Sequence, residues 1–351
     1  MELSIVELAT VAPGTSEKEG LADALETARH ADALGFHRIW FAEHHLTPMG
    51  ASHHPELLMA AAATQTSGIR VGSGAVLLNH YSPFKIAEMF KQLEALFPGR
   101  VDLGMGRATA GKTIDLALRQ DRQNPAQPDH PQQVAEVLAW LYGTFPAGHA
   151  FAGNPMMPSV PEVPQTWLLG SSVGGSNLAA GLGIGYTFSG FINPAGAVEA
   201  MRNYRERFQP KGHRLASPRS ILAVNITVAD THDEARRLVG SARAFTKRVR
   251  AGDFSALVPS PDDAAGELPP TEKERPTSIV DGEWPMFVAG NPTEVRATLD
   301  QMVSESRADE LMVYNLIADP GDRRRSHELL AEMFELAPRS APAPALSKTH
   351  A

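Results

Sequence analysis

Eight times along this sequence a short, apolar, β-prone run gives way to a longer stretch of helical period. Few folds satisfy that rhythm. The strand-like runs are residues 3–9, 37–42, 69–78, 101–105, 166–169, 186–192, 221–228 and 311–317. The helical stretches that follow them are 17–34, 56–66, 83–96, 133–142, 177–182, 195–208, 233–249 and 327–336. Strands alternating with helices imply a parallel sheet, and eight such units predict a closed (β/α)8 TIM-type barrel. At roughly 150 residues per domain, 351 residues would otherwise read as about two domains. The alternation instead predicts one enlarged barrel over 1–337, with the surplus in inserts near 108–129, 146–164 and 252–285 at the C-terminal rim of the strands. The third insert, rich in Pro, Asp and Glu, is the candidate lid. Residues 338–351, with their Ala-Pro run, read as a disordered, solvated tail.

Composition narrows the chemistry. There is no cysteine, which excludes disulfides, thiolate nucleophiles and cysteine-ligated metal centres. A formal charge of −8 argues against a nucleic-acid partner or a polybasic membrane anchor. The first residues, MELSIVELATVAPG, lack a basic region ahead of an apolar run, and no stretch is apolar for about 18 residues. A cytoplasmic protein is expected.

In such a barrel the active site gathers where the strands end. Strand two ends in Glu43-His44-His45, strand four in Gly104-Met105-Gly106-Arg107 and strand five in Gly170-Ser171-Ser172. Gly170, Ser171 and Ser172 open a helix, where backbone N–H groups and two hydroxyls cradle a phosphate or, more plainly, cap the helix. Arg107, on the same rim, adds a guanidinium that pairs bidentately with phosphate or else makes a surface ion pair. Gly72-Ser73-Gly74-Ala75 leaves the backbone of strand three bare, for a flat ligand or for tight packing. His44, His45, His53, His54 and His80 cluster early, but no H-x-H or H-E-x-x-H spacing organises them, so no metal site is assigned. His53-His54 beside Pro55 reads as a helix entry. Neither a G-x-G-x-x-G fingerprint nor a Walker A loop occurs.

Together these stretches resemble the bacterial luciferase-like family of flavin-dependent monooxygenases. The resemblance runs through ADALGFHRIWFAEHHLTPMGASHHPELLMAAAATQTSGIRVGSGAVLL, FPGRVDLGMGRA, TWLLGSS and VAGNPTEVRATLDQMVSESRADELMVYNL. It implies a TIM-type barrel with reduced FMN as working cofactor and O2 as co-substrate. The implied reaction oxygenates a small, largely apolar organic substrate through a C4a-hydroperoxyflavin. Carried over, His44 matches the family's catalytic histidine, with Glu43 and His45 beside it. Arg107 and Ser171-Ser172 match the phosphate contacts. Gly74-Ala75 match the segment beneath the isoalloxazine, where a non-proline cis peptide is common. Val173-Gly174-Gly175 departs from the aromatic or polar residue usual after the Gly-Ser-Ser turn, and 108–129 matches poorly. With no dinucleotide motif, a separate flavin reductase is expected as partner, and a homodimer is the common assembly. Three other readings compete: an F420-dependent dehydrogenase on the same barrel, a non-catalytic flavin-binding protein, and a metal-dependent hydrolase.

Overall fold

The computed structural model describes all residues except 109–110, 119–122, 124–128, 213 and 340–351. Its strands are β1 (Glu2–Glu7), β2 (Arg38–Phe41), β3 (Arg70–Ser73), β4 (Val76–Leu77), β5 (Val101–Gly106), β6 (Gln165–Gly170), β7 (Gly185–Ser189), β8 (Ser220–Val228), β9 (Phe287–Gly290) and β10 (Glu310–Tyr314). Parallel pairing runs β1-β2-β3-β5-β6-β7-β8-β10 and returns to β1, which closes an eight-stranded barrel. β4 continues β3 beyond a cis Gly74–Ala75 peptide, and β9 extends the far end of β8.

Helices on the outside connect the strands, and local sequence sets their ends. Ser16 and Glu19 form a capping box at the start of Glu17–Leu34, which stops at Gly35 in a left-handed conformation. Pro55 opens Pro55–Gln65 with His54 at the capping position, so His53-His54 is a helix entry. One helix departs from the sequence reading. Between β8 and β10 the barrel is completed by Pro292–Ser306, which packs against Ala197–Arg207 and Pro320–Met333. His232–Arg250, expected in that place, packs mainly on β9 and Pro261–Glu267. It begins an excursion at the rim.

Strand alternation sorts the barrel into layers. Ile39, Phe41, Leu103, Met105, Leu222 and Val313 point outward into the strand–helix core. Inward, the lowest layer is ionic. Arg38 lies fully buried, donating to Glu310 at 2.8 and 3.0 Å and to Asp102 at 2.6 Å. Arg70 and the Trp40 indole also donate to Asp102. Burial pushes the Asp102 carboxyl up, but Arg38 and Arg70 overcome it and hold the group below its ordinary value. Above this floor Trp40 and Trp167 meet edge to face at 5.7 Å, with Arg38 beneath both rings. A Cβ on Gly72 would come within 2.4 Å of Trp40, and one on Gly185 within 2.3 Å of Trp167. Tight packing against the tryptophans therefore accounts for Gly72. The next layer up mixes small residues, Ala42, Gly74, Gly106, Ser189 and Ala223, with Leu169 and Met312.

The inserts divide between the two ends. Segment 252–285 is ordered, with helices Pro261–Glu267 and Pro270–Lys273. Its Ala256 and Val258 join Leu8, Ala42 and Met49 in the apolar cluster of the mouth. In 108–129, the helix Lys112–Leu118 carries Asp115 to 3.5 Å from His80; much of the rest lies outside the described residues. Segment 146–164 is the exception to the expected rim placement. It follows the helix His130–Tyr142 and leads into the start of β6, so it lies toward the opposite end. There the Lys91 ammonium donates to its Glu162 carbonyl. Of the tail, Arg339 is half-buried and approaches Glu2, so the expected solvated segment is tied down at its start; 340–351 lie outside the described residues. Among the described residues, no helix is long and apolar enough to cross a membrane.

Burial lowers several histidines: His37 to about 2, His327 to about 3 and His130 to about 4. Unfolding returns each toward the ordinary value near 6.5, so between those limits the unfolded chain binds more protons. Stability is therefore full above about pH 6.5 and falls as pH drops, by up to about 1.4 kcal/mol per unit for each linked histidine. Urea midpoints between pH 7.5 and 4.5 check this, and a flat profile would refute it.

Candidate active site

The end of β2 supplies a histidine to the mouth and a carboxylate to the wall behind it. Continuing the alternation of Arg38, Trp40 and Ala42 puts His44 on the barrel side, and its Nδ1 is buried without a hydrogen-bond partner. The backbone there is fixed by His44 N–H to the Ser52 carbonyl at 3.0 Å and by His53 Nδ1 against the His44 carbonyl at 2.7 Å. Burial, reinforced by His45 and His53, lowers His44 to about 4. The imidazole is therefore neutral at neutral pH and can accept a proton.

Glu43 faces the other way. Its buried carboxylate accepts from Tyr81 Oη at 2.7 Å and from the Leu77 amide at 2.8 Å, and pairs with His45 Nε2 at 2.7 Å. It thereby ties the end of β2 to the segment after the cis peptide and orients His45. His45 stacks on His53, with ring centroids 6.4 Å apart, so the two neighbouring histidines point to different places. Tyr81 was not visible as a site residue, because 38 positions separate it from Glu43.

The expected cofactor residues come together on adjacent strands. Met105 is in register with Leu168, so Arg107 and Gly170 leave neighbouring strand ends at one level. Arg107 is exposed and, among the described residues, makes no ion pair. Ser172 caps Val173–Leu182 by accepting from the Gly175 amide, so the capping role is real. The same turn leaves the Gly174 Cα open, with only the Ser172 Oγ within 4 Å of a Cβ placed there. The Asn193 amide holds the Ser171 carbonyl at 3.0 Å and the Tyr186 hydroxyl holds that of Ser172 at 3.0 Å, two positioning contacts the sequence did not reveal. Gly74 and Ala75 lie between these groups and β2, with Ala75 beside Gly106.

A family model described as luciferase-like monooxygenase matches residues 1–310. The chain belongs to the luciferase-like monooxygenase family. The crystal structure of apo-MsnO8 is 42% identical, with TM-score 0.86 over 96% of this chain and 99% of that one. N-acetyl-S-alkylcysteine monooxygenase of Bacillus subtilis is 30% identical over 340 residues, 97% of this chain and all of the relative. At 22% identity, the oxygenating constituent of 3,6-diketocamphane monooxygenase from Pseudomonas putida, solved with FMN, shares the fold with TM-score 0.69 over 97% and 100% of the chains.

Two further features stand out in this member of the luciferase-like monooxygenase family. At the mouth, Phe191 and Tyr314 stack face to face, 4.2 Å between centroids and 4° from parallel. Burial raises the Tyr314 phenol well above its ordinary value. At the opposite end, Glu2, His37 and Glu310 bring three ligand-type atoms within 4.8 Å of one another. Arg219, Arg339 and Arg38 already pair with those carboxylates, so the surroundings are cationic and no metal is assigned.

Proposed function

We propose that this chain is a flavin-dependent monooxygenase that uses reduced FMN and O2 to oxygenate a small organic substrate. The observation that carries the reading is the strand-end rim, where a half-buried His44 whose Nδ1 has no hydrogen-bond partner, the Gly74-Ala75 backbone, the exposed Arg107 and the N-terminus of Val173–Leu182 share one end of the barrel. That donor set suits a planar ring with a phosphate tail. The first amides of Val173–Leu182, the Ser171 and Ser172 hydroxyls and Arg107 would hold the phosphate. Gly74 and Ala75 would lie against the ring. When bound, reduced flavin supplies the oxygen-activating redox chemistry, and the protein supplies position, dryness and a proton path. Ala256 and Val258 over the mouth exclude water, which gives 252–285 the part of a cover. His44 takes a proton at Nδ1, while Glu43 and His45 act as positioning groups. A separate reductase delivers the reduced flavin.

Anaerobic titration of the full chain with reduced FMN and with reduced F420, followed by admission of air, tests the assignment. Micromolar binding of reduced FMN with oxygen uptake is the expected result. Tight F420 binding without FMN binding would transfer the chain to the dehydrogenase reading. FMN binding with no oxygenated product from any candidate substrate would make it a flavin carrier.

A further inference from the structure

One wall of the mouth, formed by β7, β8 and β10, carries two aromatic rings that pack against the barrel's apolar cluster yet stay half-buried. In the ring of eight strands β7 stands opposite β2, and β8 and β10 follow it. Alternation through Thr187 and Ser189 brings Phe191 to the barrel side, where its amide donates to the Ala223 carbonyl at 3.2 Å. Tyr314, at the end of β10, is in register with Asn225 of β8. Since β7 and β10 flank β8, the parallel Phe191 and Tyr314 rings meet across it. Both rings are half-buried, so they border the open mouth. Asn225 is 2% exposed and its Oδ1 accepts no hydrogen bond. The Tyr314 hydroxyl makes none among the described residues.

A buried carbonyl oxygen without a donor is uncommon in a folded chain, because nothing replaces the water it has lost. One on the strand between the two that carry a stacked aromatic pair, in register with one of them, has the makings of a recognition element: apolar rings with an acceptor beside them. We propose that Phe191, Asn225 and Tyr314 form the substrate wall, selecting a phenol-class substrate whose ring lies along the aromatic pair and whose hydroxyl donates to Asn225 Oδ1. The proposal rests on the monooxygenase reading for its place in catalysis, and it narrows that reading from any small apolar molecule to an arene carrying a donor. A site built to accept a hydroxyl proton discriminates strongly against the analogue that lacks it, since the acceptor is then left bare.

The test uses two probes that differ only in that donor, 4-ethylphenol and 4-ethyltoluene, titrated calorimetrically into the full chain with and without FMN. The expected result is binding of the phenol at least about tenfold tighter than the toluene. Asn225→Leu is expected to reduce the preference to under about twofold. Tyr314→Ala is expected to weaken both probes together, which keeps the test decisive should Asn225→Leu fail to fold. Equal affinities, no binding of either probe, a preference that survives Asn225→Leu, or unchanged binding in Tyr314→Ala would each overturn the proposal. Failure of the two ideas is distinguishable. A chain that binds FMN without preferring the phenol loses the substrate wall alone, whereas one that prefers the phenol but binds no flavin keeps the wall and loses the monooxygenase reading.

Discussion

Asp102→Ala is expected to destabilise the protein by about 3–5 kcal/mol, a large part of the roughly 5–15 kcal/mol that holds a domain folded. The carboxylate is fully buried and takes hydrogen bonds from Arg38, Arg70 and the Trp40 indole. Two arginines and two carboxylates balance in the barrel floor, and removing Asp102 leaves Arg38 with Glu310 alone and Arg70 without its carboxylate. Arg38, fully buried, cannot turn to water for the lost partner, because Trp40 and Trp167 close the barrel above it. Asp102→Asn keeps the shape and part of the hydrogen bonding but not the charge, so its loss should be smaller. Urea denaturation of both variants checks the ranking. A loss below about 1 kcal/mol for Asp102→Ala would mean the floor relaxes around the missing charge, and the ionic layer would then not be a determinant of the fold.

That ionic layer also marks where the sequence stops being readable. In Arg-Ile-Trp-Phe only the first residue is charged, and at the start of an open-sheet strand Arg38 would face solvent. In a closed barrel the outward positions are covered by helices, so Ile39 and Phe41 take the outer core and Arg38 turns inward to partners 64 and 272 residues away. The eight-unit rhythm itself was legible because every barrel strand and most helices have a strong local period. The seventh helix was misplaced for the same reason. His232–Arg250 has as clean an amphipathic pattern as any barrel helix, and periodicity does not say which surface a helix covers. The true seventh unit hides behind a four-residue strand, Phe287–Gly290, too short to register after a proline-rich insert.

In the candidate site the sequence singles out the groups that chemistry labels and passes over those that only position them. His44, Arg107 and Ser171-Ser172 stand at strand ends, where polar residues carry meaning. Tyr81 and Asn193 act at 38 and 22 residues' distance through single hydrogen bonds, and nothing local distinguishes them from ordinary loop residues. Asn225 is harder still, since it lies within a nine-residue, wholly buried strand and reads as a packing position. Gly72 shows the reverse case: a glycine that suggested a ligand is there for Trp40, and Gly74 and Gly106 are packed too, a Cβ meeting Trp40 at 3.0 Å in the one and Ala75 at 2.9 Å in the other.

His44→Ala is expected to lower oxygenated product formation by about 10²- to 10⁴-fold, the usual range for a positioned acid–base group, while reduced FMN still binds within a few-fold of the parent. The direction of the proton step follows from burial. A histidine lowered to about 4 is neutral across the working range, so the required form is the base, and turnover is lost only as pH falls through that value. Between pH 5 and 7 the parent's rate, corrected for the folded fraction, should be nearly level. An exposed histidine would instead impose an acid limb near 6.5. Added imidazole should restore part of the activity of His44→Ala, which a purely structural defect would not allow. The decisive comparison supplies photoreduced FMN to both proteins and counts product per flavin oxidised. If His44→Ala stays within about threefold of the parent, proton transfer belongs to another group, and the buried Nδ1 is an unfilled contact rather than the site's base.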